Sequence, residues 1–213
     1  MYQRRDFYLV TLIGFIVGWL VLVPVKNGFG VAFTVPLVVG SVVGFSAFAP
    51  LALFLLKLLS RRWRVFEQFG KFAAVGTLNT LLDLSVLNGL IALSGIASGV
   101  GFAGFKALSF IVGTTNSYFW NKFWTFESRM PVTAREYLRF ATFTLIGTII
   151  NVSVASFVVN VVDAPEGMSP KLWANVGALI AVAASFLWNF LSYRLVVFKQ
   201  PVADNQQLTT PKT

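Results

Sequence analysis

Six long apolar runs are the feature that most constrains how this chain of 213 residues can fold. A helix needs about 20 apolar residues to cross a hydrocarbon core of about 30 Å, and it bonds all its backbone groups internally. Only 12% of the residues are charged, about half the fraction usual in soluble domains. The sequence therefore predicts an all-α, polytopic helical membrane protein with about six transmembrane helices. The predicted spans are Phe7–Val25, Val35–Leu59, Phe72–Leu93, Phe102–Asn121, Phe140–Val162 and Leu172–Tyr193.

The cations are concentrated in every second connecting segment. Fourteen of the 17 Lys and Arg residues lie at the two ends of the chain, between the second and third spans, or between the fourth and fifth. The alternate loops hold only Lys26 and Lys171, and Lys106 lies within a span. This asymmetry predicts a multi-pass protein of the cell (inner) membrane with both termini cytoplasmic. It also explains the net charge of +9 without nucleic acid, because membrane topology alone accounts for most of the cations. Membrane lipid is an expected partner of the chain.

One polar stripe interrupts the third span. Gly76, Asn79, Thr80 and Asp83 follow at i, i+3, i+4 and i+7, which places them on one face of a helix. A charge near mid-bilayer costs on the order of 2.5–3.5 kcal/mol on insertion scales, so Asp83 needs a partner. Lys106 of the fourth span lies at a similar depth, about 6 Å away along the membrane normal, and the two are expected to pair.

Comparable stripes run along the other three spans of this part of the chain. They include Asn116 on the fourth, Asn151 on the fifth and Asn189 on the sixth. Such residues most often form interhelical hydrogen bonds in membranes, but four polar faces could also line a groove. In the same way, the Asp83 pair is either a structural ion pair or a contact for a polar ligand.

The polar helices form an apparent internal duplication. The separation from Asn79 to Lys122 equals that from Asn151 to Arg194, at 43 residues, and the two copies are offset by 72. Each copy contains two spans and enters from the same side, which predicts parallel repeats. We expect an additional N-terminal hairpin over 1–66, repeats over 67–126 and 134–198, and a disordered cytoplasmic tail over 199–213. Arg62–Phe66 faintly echoes the end of each repeat, so a third, degenerate copy is an alternative.

The chain has little chemistry to offer for catalysis. It contains neither Cys nor His, and Asp83 is the one acid clearly within a span. We therefore expect no catalytic residue, no metal site and no cofactor.

Motifs at the ends of the repeats resemble those of the GtrA-like family of small membrane proteins. They are Phe69–Phe72, Val75–Asn79, Asp83, Asn121–Phe126 and the weaker Asn189–Phe198. The resemblance covers about residues 67 to 199. It implies work in cell-surface polysaccharide or glycolipid synthesis, usually the movement (flipping) of a polyprenyl-phosphate-linked sugar, such as one on undecaprenyl phosphate, beside a membrane-associated glycosyltransferase.

The resemblance also implies roles for particular residues. Cations at the cytoplasmic ends of the helices would meet the phosphate, while polar residues of the stripes would offer hydrogen bonds to the sugar. The candidate substrate-binding residues are Lys71, Asn79, Asp83, Lys106, Asn116, Lys122, Arg139, Asn151, Asn189 and Arg194.

Two alternatives accompany transport. The chain could be a membrane anchor or stabilising subunit of a polyprenyl-phosphate glycosyltransferase, similar to the small subunits of dolichol-phosphate-mannose synthase. An enzyme is the least favoured interpretation, because acid and base groups are scarce. A homo-oligomer is also compatible with the sequence, since a second protomer could complete the polar seam and Gly95, Gly99, Gly101 and Gly104 would permit close helix contacts.

Overall fold

The computed structural model describes residues 4–60 and 65–199, and this part of the chain is helical throughout apart from its connecting loops. The predicted tail from residue 200 onward, and most of the Arg62–Phe66 echo, lie outside it. The helices are α1 (Arg4–Leu20), α2 (Leu22–Phe29), α3 (Val35–Ser60), α4 (Val65–Ser94), α5 (Gly99–Trp120), α6 (Ala134–Val161) and α7 (Pro170–Ser192). Two short π-helices follow α5 and α7, π1 (Asn121–Thr125) and π2 (Tyr193–Val197).

The all-α membrane fold predicted from the sequence is confirmed. Within the described residues, five helical segments are long and apolar enough to cross a membrane: Arg4–Lys26, Val35–Ser60, Val65–Ser94, Ala134–Val161 and Trp173–Val197. The remaining predicted span corresponds to α5, a helix of 22 residues that carries Lys106 among other polar residues. The chain divides into two compact units, residues 1–127 and 128–213.

The first span is broken near its end, and a serine of α4 compensates for the break. Pro24 has no N–H, so the carbonyl of Leu20 four residues earlier loses its helical donor. The Ser85 hydroxyl donates to that carbonyl at 3.0 Å. The predicted end of the first span at Val25 is too early, because α2 continues through Lys26–Gly28 to Phe29 and ends at Gly30, whose φ of 66° favours glycine.

Two glycines allow α1 to pack closely against α3. A Cβ on Gly14 would overlap the carbonyl of Phe45, and one on Gly18 would lie 2.6 Å from Cα of Val42. Their spacing is the small-xxx-small pattern of closely packed membrane helices. The Ser41 hydroxyl also donates to the Gly18 carbonyl at 3.0 Å.

The N-terminal hairpin shares one hydrophobic core with the first predicted repeat. The core joins residues of α1, α3, α4 and π1: Val10, Ile13, Val17, Leu53, Val75, Leu78 and Trp124. Helix α4 begins at Val65, seven residues before the apolar span, so its first two turns extend beyond that span. The hairpin therefore packs as part of the first unit.

The second unit is a pair of packed helices, α6 and α7, joined by a loop over 162–169. At one end the rings of Phe140 and Tyr193 pack with their centroids 4.3 Å apart. At the other end a Cβ on Gly177 would lie 2.9 Å from the side chain of Val159. These contacts make the two helices antiparallel.

The two π-helices start 72 residues apart, the offset that the sequence predicts for the repeats. Each ends with the same backbone bond, from Phe126 to Asn121 at 2.9 Å and from Phe198 to Tyr193 at 2.8 Å. The terminal phenylalanines also pack alike, Phe126 against Phe72 and Phe198 against Phe140. This correspondence agrees with a duplication, which stays a prediction.

Candidate functional site

The centre of the candidate site is the carboxylate of Asp83 on α4. The Lys106 ammonium of α5 forms an ion pair with its Oδ2, and the Ser109 hydroxyl donates to its Oδ1 at 2.6 Å. The predicted pairing of Asp83 with Lys106 is thus confirmed. Spacing explains the arrangement, since Lys106 and Ser109 are one helical turn apart and present both donors on the same face of α5.

This ion pair is accessible from one side. The Lys106 side chain is 47% exposed and that of Asp83 is 23% exposed, whereas Ser109 is buried behind them. Ionised groups within membrane helices face a bundle interior or a polar cavity, because hydrocarbon solvates them poorly. The accessible side of the pair therefore needs a polar neighbour.

Two asparagines extend the polar stripe by one turn. The Asn116 side-chain amide donates to Oδ1 of Asn79 at 2.7 Å, which links α5 to α4. Gly113 lies between the two polar contacts, where a Cβ would be 3.6 Å from Cβ of Asp83. Within the described residues, the Asn79 Nδ2 group is buried and has no hydrogen-bond partner. One donor of the stripe is therefore left available.

The second unit contains a comparable but uncharged contact. Nδ2 of Asn151 on α6 donates to the Ser185 hydroxyl of α7 at 3.2 Å. Asn189 packs against Gly147, where an added Cβ would overlap its side-chain amide. Across residues 4–60 and 65–199, Oδ1 of Asn189 is another buried polar atom without a partner. Each of these two helix pairs thus carries interhelical hydrogen bonds plus one asparagine side chain with a buried polar atom that has no partner in the described part of the chain.

Lys71 is buried among carboxylates instead of facing outward. Its ammonium lies 2.9 Å from Asp6, 3.2 Å from Glu127 and 3.7 Å from Glu67. Asp6 is only 2% exposed and also accepts a hydrogen bond from Trp124 Nε1 at 3.0 Å. The structure therefore places Lys71 in an ion cluster that connects α1, α4 and Glu127, which follows π1 by two residues.

Lys122 is likewise enclosed, with its ammonium 6.0 Å from the ring centroids of Tyr118 and Phe123. Arg139 and Arg194 differ, because both are exposed. Of the four cations predicted to meet a phosphate, the structure thus leaves the two arginines of the second unit accessible. The residues described hold no group of three His, Cys, Asp or Glu side chains that could bind a metal.

Sequence reasoning did not single out Asp6, Glu127 or Ser109 as site residues. Asp6 follows Arg4 and Arg5, which the charge asymmetry of the loops explains as cytoplasmic cations. Nothing in the sequence pattern indicates that Asp6 is a partner of Lys71. Ser109 did carry a signal, since it falls one turn from Lys106 on the predicted stripe.

Comparisons with known proteins give a family match and a bacterial relative. A family model described as "GtrA/DPMS, transmembrane domain" matches residues 71–198. The "Uncharacterized membrane protein YngA" of Bacillus subtilis (strain 168) is 28% identical over 140 residues, which cover 66% of this chain and 85% of that protein. No solved structure matches the chain.

Proposed function

Because the chain belongs to the GtrA/DPMS transmembrane-domain family, we propose that it moves a polyprenyl-phosphate-linked sugar across the cell (inner) membrane. Family membership supports a role in handling polyprenyl-phosphate sugars in general. The finer proposal is flipping of the lipid-linked sugar for synthesis of a surface polysaccharide or glycolipid. It assigns the chain no catalysis of its own.

The observation that carries this proposal is the ion pair of Asp83 and Lys106 on α4 and α5, which is accessible from one side and is backed by the buried Ser109 hydroxyl. Sugar hydroxyls both donate and accept hydrogen bonds, and moving them into hydrocarbon without partners is costly. Asp83 supplies an acceptor and Lys106 supplies donors. The hydroxyls of a sugar in transit can therefore replace their hydrogen bonds to water with hydrogen bonds to these groups. The prenyl chain can meanwhile stay in lipid.

Further groups in the proposal extend this contact toward the membrane surface. The unused Nδ2 donor of Asn79 lies one turn from Asp83, and its partner Asn116 lies beside it. Asn151 and Asn189 would serve in the second unit. Arg139 and Arg194 are the accessible cations for the phosphate, while Lys71 and Lys122 would shape the first unit from within.

The direct test is a flipping assay with purified protein in liposomes. A polyprenyl-phosphate sugar placed in one leaflet should reach the other faster than in empty liposomes, and Asp83→Asn and Lys106→Gln should each slow this movement. Asp163→Asn, at an exposed loop carboxylate, is the matched control and should behave as the parent protein. No acceleration by the parent protein over empty liposomes, across a panel of sugar carriers, would contradict the proposal.

The exposed side of Lys106 favours one second candidate function. A carboxylate on a span of a partner protein would also provide the polar neighbour that this ammonium needs. The chain would then anchor or stabilise a membrane-associated glycosyltransferase. That function predicts stable co-purification with the transferase and a lower transferase level after deletion of the chain. An unchanged transferase level and activity in the deletion strain would exclude it.

A further inference from the structure

A polar pocket of about 290 Å³ lies within the second unit, beside the start of α6 and the end of π2. Its volume lies just below the range usual for sites that hold drug-sized ligands, roughly 300–1,000 Å³, and is large enough for a small anion. The polar and charged side chains that line it are Ser128, Thr133, Arg135, Glu136, Arg139 and Lys199. None of these except Arg139 was a candidate from the sequence.

The pocket carries an excess of positive charge. Arg135, Arg139 and Lys199 line it against a single carboxylate, that of Glu136. All three cations are exposed, and none of them belongs to an ion pair formed within the described part of the chain. Lys71 contrasts with them, because Asp6 and Glu127 already neutralise it. The second unit therefore retains cations that can meet an external anion.

The start of α6 adds to the positive electrostatic potential at the pocket. Thr133 caps the helix, its hydroxyl accepting from the Glu136 N–H at 3.1 Å. The first amides of a helix have no internal acceptors, and the positive end of the dipole of this 28-residue helix lies beside the pocket. Anions are stabilised at such a position.

An independent observation points to a ligand with oxygen acceptors. Ser128 is 5% exposed and lines the same pocket, and its hydroxyl has no hydrogen-bond partner anywhere in residues 4–60 and 65–199. Buried hydroxyls in proteins are normally bonded. An oxygen atom held between Ser128 and the cations would accept this hydrogen bond.

We propose that this pocket binds a phosphate group, with Arg135 and Arg139 as its principal ligands and Ser128 and Lys199 completing the site. Guanidinium groups bind phosphate through paired, charge-assisted hydrogen bonds. Such bonds hold a phosphate group at a defined position, which a general electrostatic attraction of anions to the surface does not. The inference rests on the proposed function in one respect, because it assigns the phosphate end of the lipid-linked ligand to the second unit. The phosphate could belong to a lipid headgroup or be free in solution.

Binding to the full chain in phosphatidylcholine nanodiscs tests the site. The probes are farnesyl phosphate and, separately, inorganic phosphate, each measured by isothermal titration calorimetry. Arg135→Gln and Arg139→Gln should each weaken binding about tenfold, as expected for loss of one charge-assisted hydrogen-bonding group. Arg135→Lys should weaken it less, and Ser128→Ala should weaken it severalfold. Arg129→Gln removes an exposed cation of the same loop outside the pocket and should change affinity less than twofold.

The outcomes separate the site from the proposed function. Pocket-dependent binding of farnesyl phosphate alone supports a lipid ligand, and pocket-dependent binding of both probes supports a general phosphate site. Equal losses of affinity in Arg129→Gln and in the pocket variants would overturn the proposal. It would also be overturned if neither farnesyl phosphate nor inorganic phosphate bound. If the pocket binds phosphate but liposomes show no flipping, the proposed function fails while the site stands. Flipping without phosphate binding would refute the site alone.

Discussion

The ammonium of Lys71 lies 2.9 Å from a carboxylate oxygen of Asp6, so a residue of the N-terminal hairpin neutralises a cation at the start of the family-matched segment. Both side chains are buried. Arg139, the cation near the start of the second predicted repeat, is instead exposed and lines the phosphate pocket proposed above. The cations near the starts of the two predicted repeats therefore have different surroundings, since Lys71 is enclosed by the protein and Arg139 is accessible.

Asp6→Asn should destabilise the first unit. The substitution leaves Lys71 buried with a weaker set of partners, and breaking a buried pair typically costs about 3–5 kcal/mol. Because Glu127 still neutralises Lys71, we expect the lower end, about 3 kcal/mol. The free energy of unfolding in detergent micelles, measured by SDS titration, checks this. The double variant Asp6→Leu with Lys71→Met should lose less than the sum of the single variants, and strict additivity would show that the pair does not interact.

Ser85→Ala should destabilise the contact between α4 and the break at Pro24. The Leu20 carbonyl would lose its donor, at a cost of about 1 kcal/mol. In a Pro24→Ala background the new N–H of residue 24 can bond that carbonyl, so the same Ser85→Ala change should cost much less. The comparison uses the same unfolding measurement, and an equal cost in both backgrounds would contradict the role of Ser85.

Gly18→Ala should weaken the packing of α1 on α3. Its Cβ would lie 2.6 Å from Cα of Val42, which forces the backbones apart and should cost about 1–3 kcal/mol. Gly44→Ala on α3 is the control, because a Cβ there meets no atom within 4 Å and alanine favours helix. Thermal unfolding of the two purified variants separates the effects, and similar melting temperatures would argue against close packing at Gly18.

Membrane topology can be mapped directly because the chain contains no cysteine. If both termini are cytoplasmic, a cysteine at Ser98 or Ser169 should react with an impermeant maleimide added to intact cells or right-side-out vesicles. A cysteine at Val132 should react only after the membrane is opened. Labelling with the opposite sidedness would reverse the orientation predicted from the cations.

The sequence could predict those features that depend on periodicity and composition. Apolar length identified the membrane helices, and helical spacing placed Asp83 and Lys106 on facing stripes, where the structure pairs them. The extent of α2 was missed, because Lys26–Gly28 has a turn-like composition while the left-handed residue is Gly30. Asp6 was missed for another reason. Its partners Lys71 and Trp124 come from distant segments of the chain, and the local sequence pattern does not predict such long-range contacts.

The phosphate pocket shows the same limit. Arg139 was a candidate because it lies at the predicted cytoplasmic end of a helix, and Arg135 lies one turn before it on α6. Ser128 and Lys199 line the pocket with these arginines through the loop before α6 and the residues after π2, which the sequence pattern does not predict. A charge pattern can indicate which side of the membrane a cation occupies. Whether that cation is neutralised depends on the tertiary partners that it meets.

The widened turns of π1 and π2 hold information about ancestry. A π-turn holds one residue more than an α-helical turn, as a one-residue insertion into an α-helix would produce, and such turns are rare enough that two at matching positions are hard to attribute to separate events. If the halves descend from one hairpin, the insertion preceded the copying, and the ancestor already carried it. Single-hairpin relatives of that ancestor should then retain a π-turn just before their closing phenylalanine.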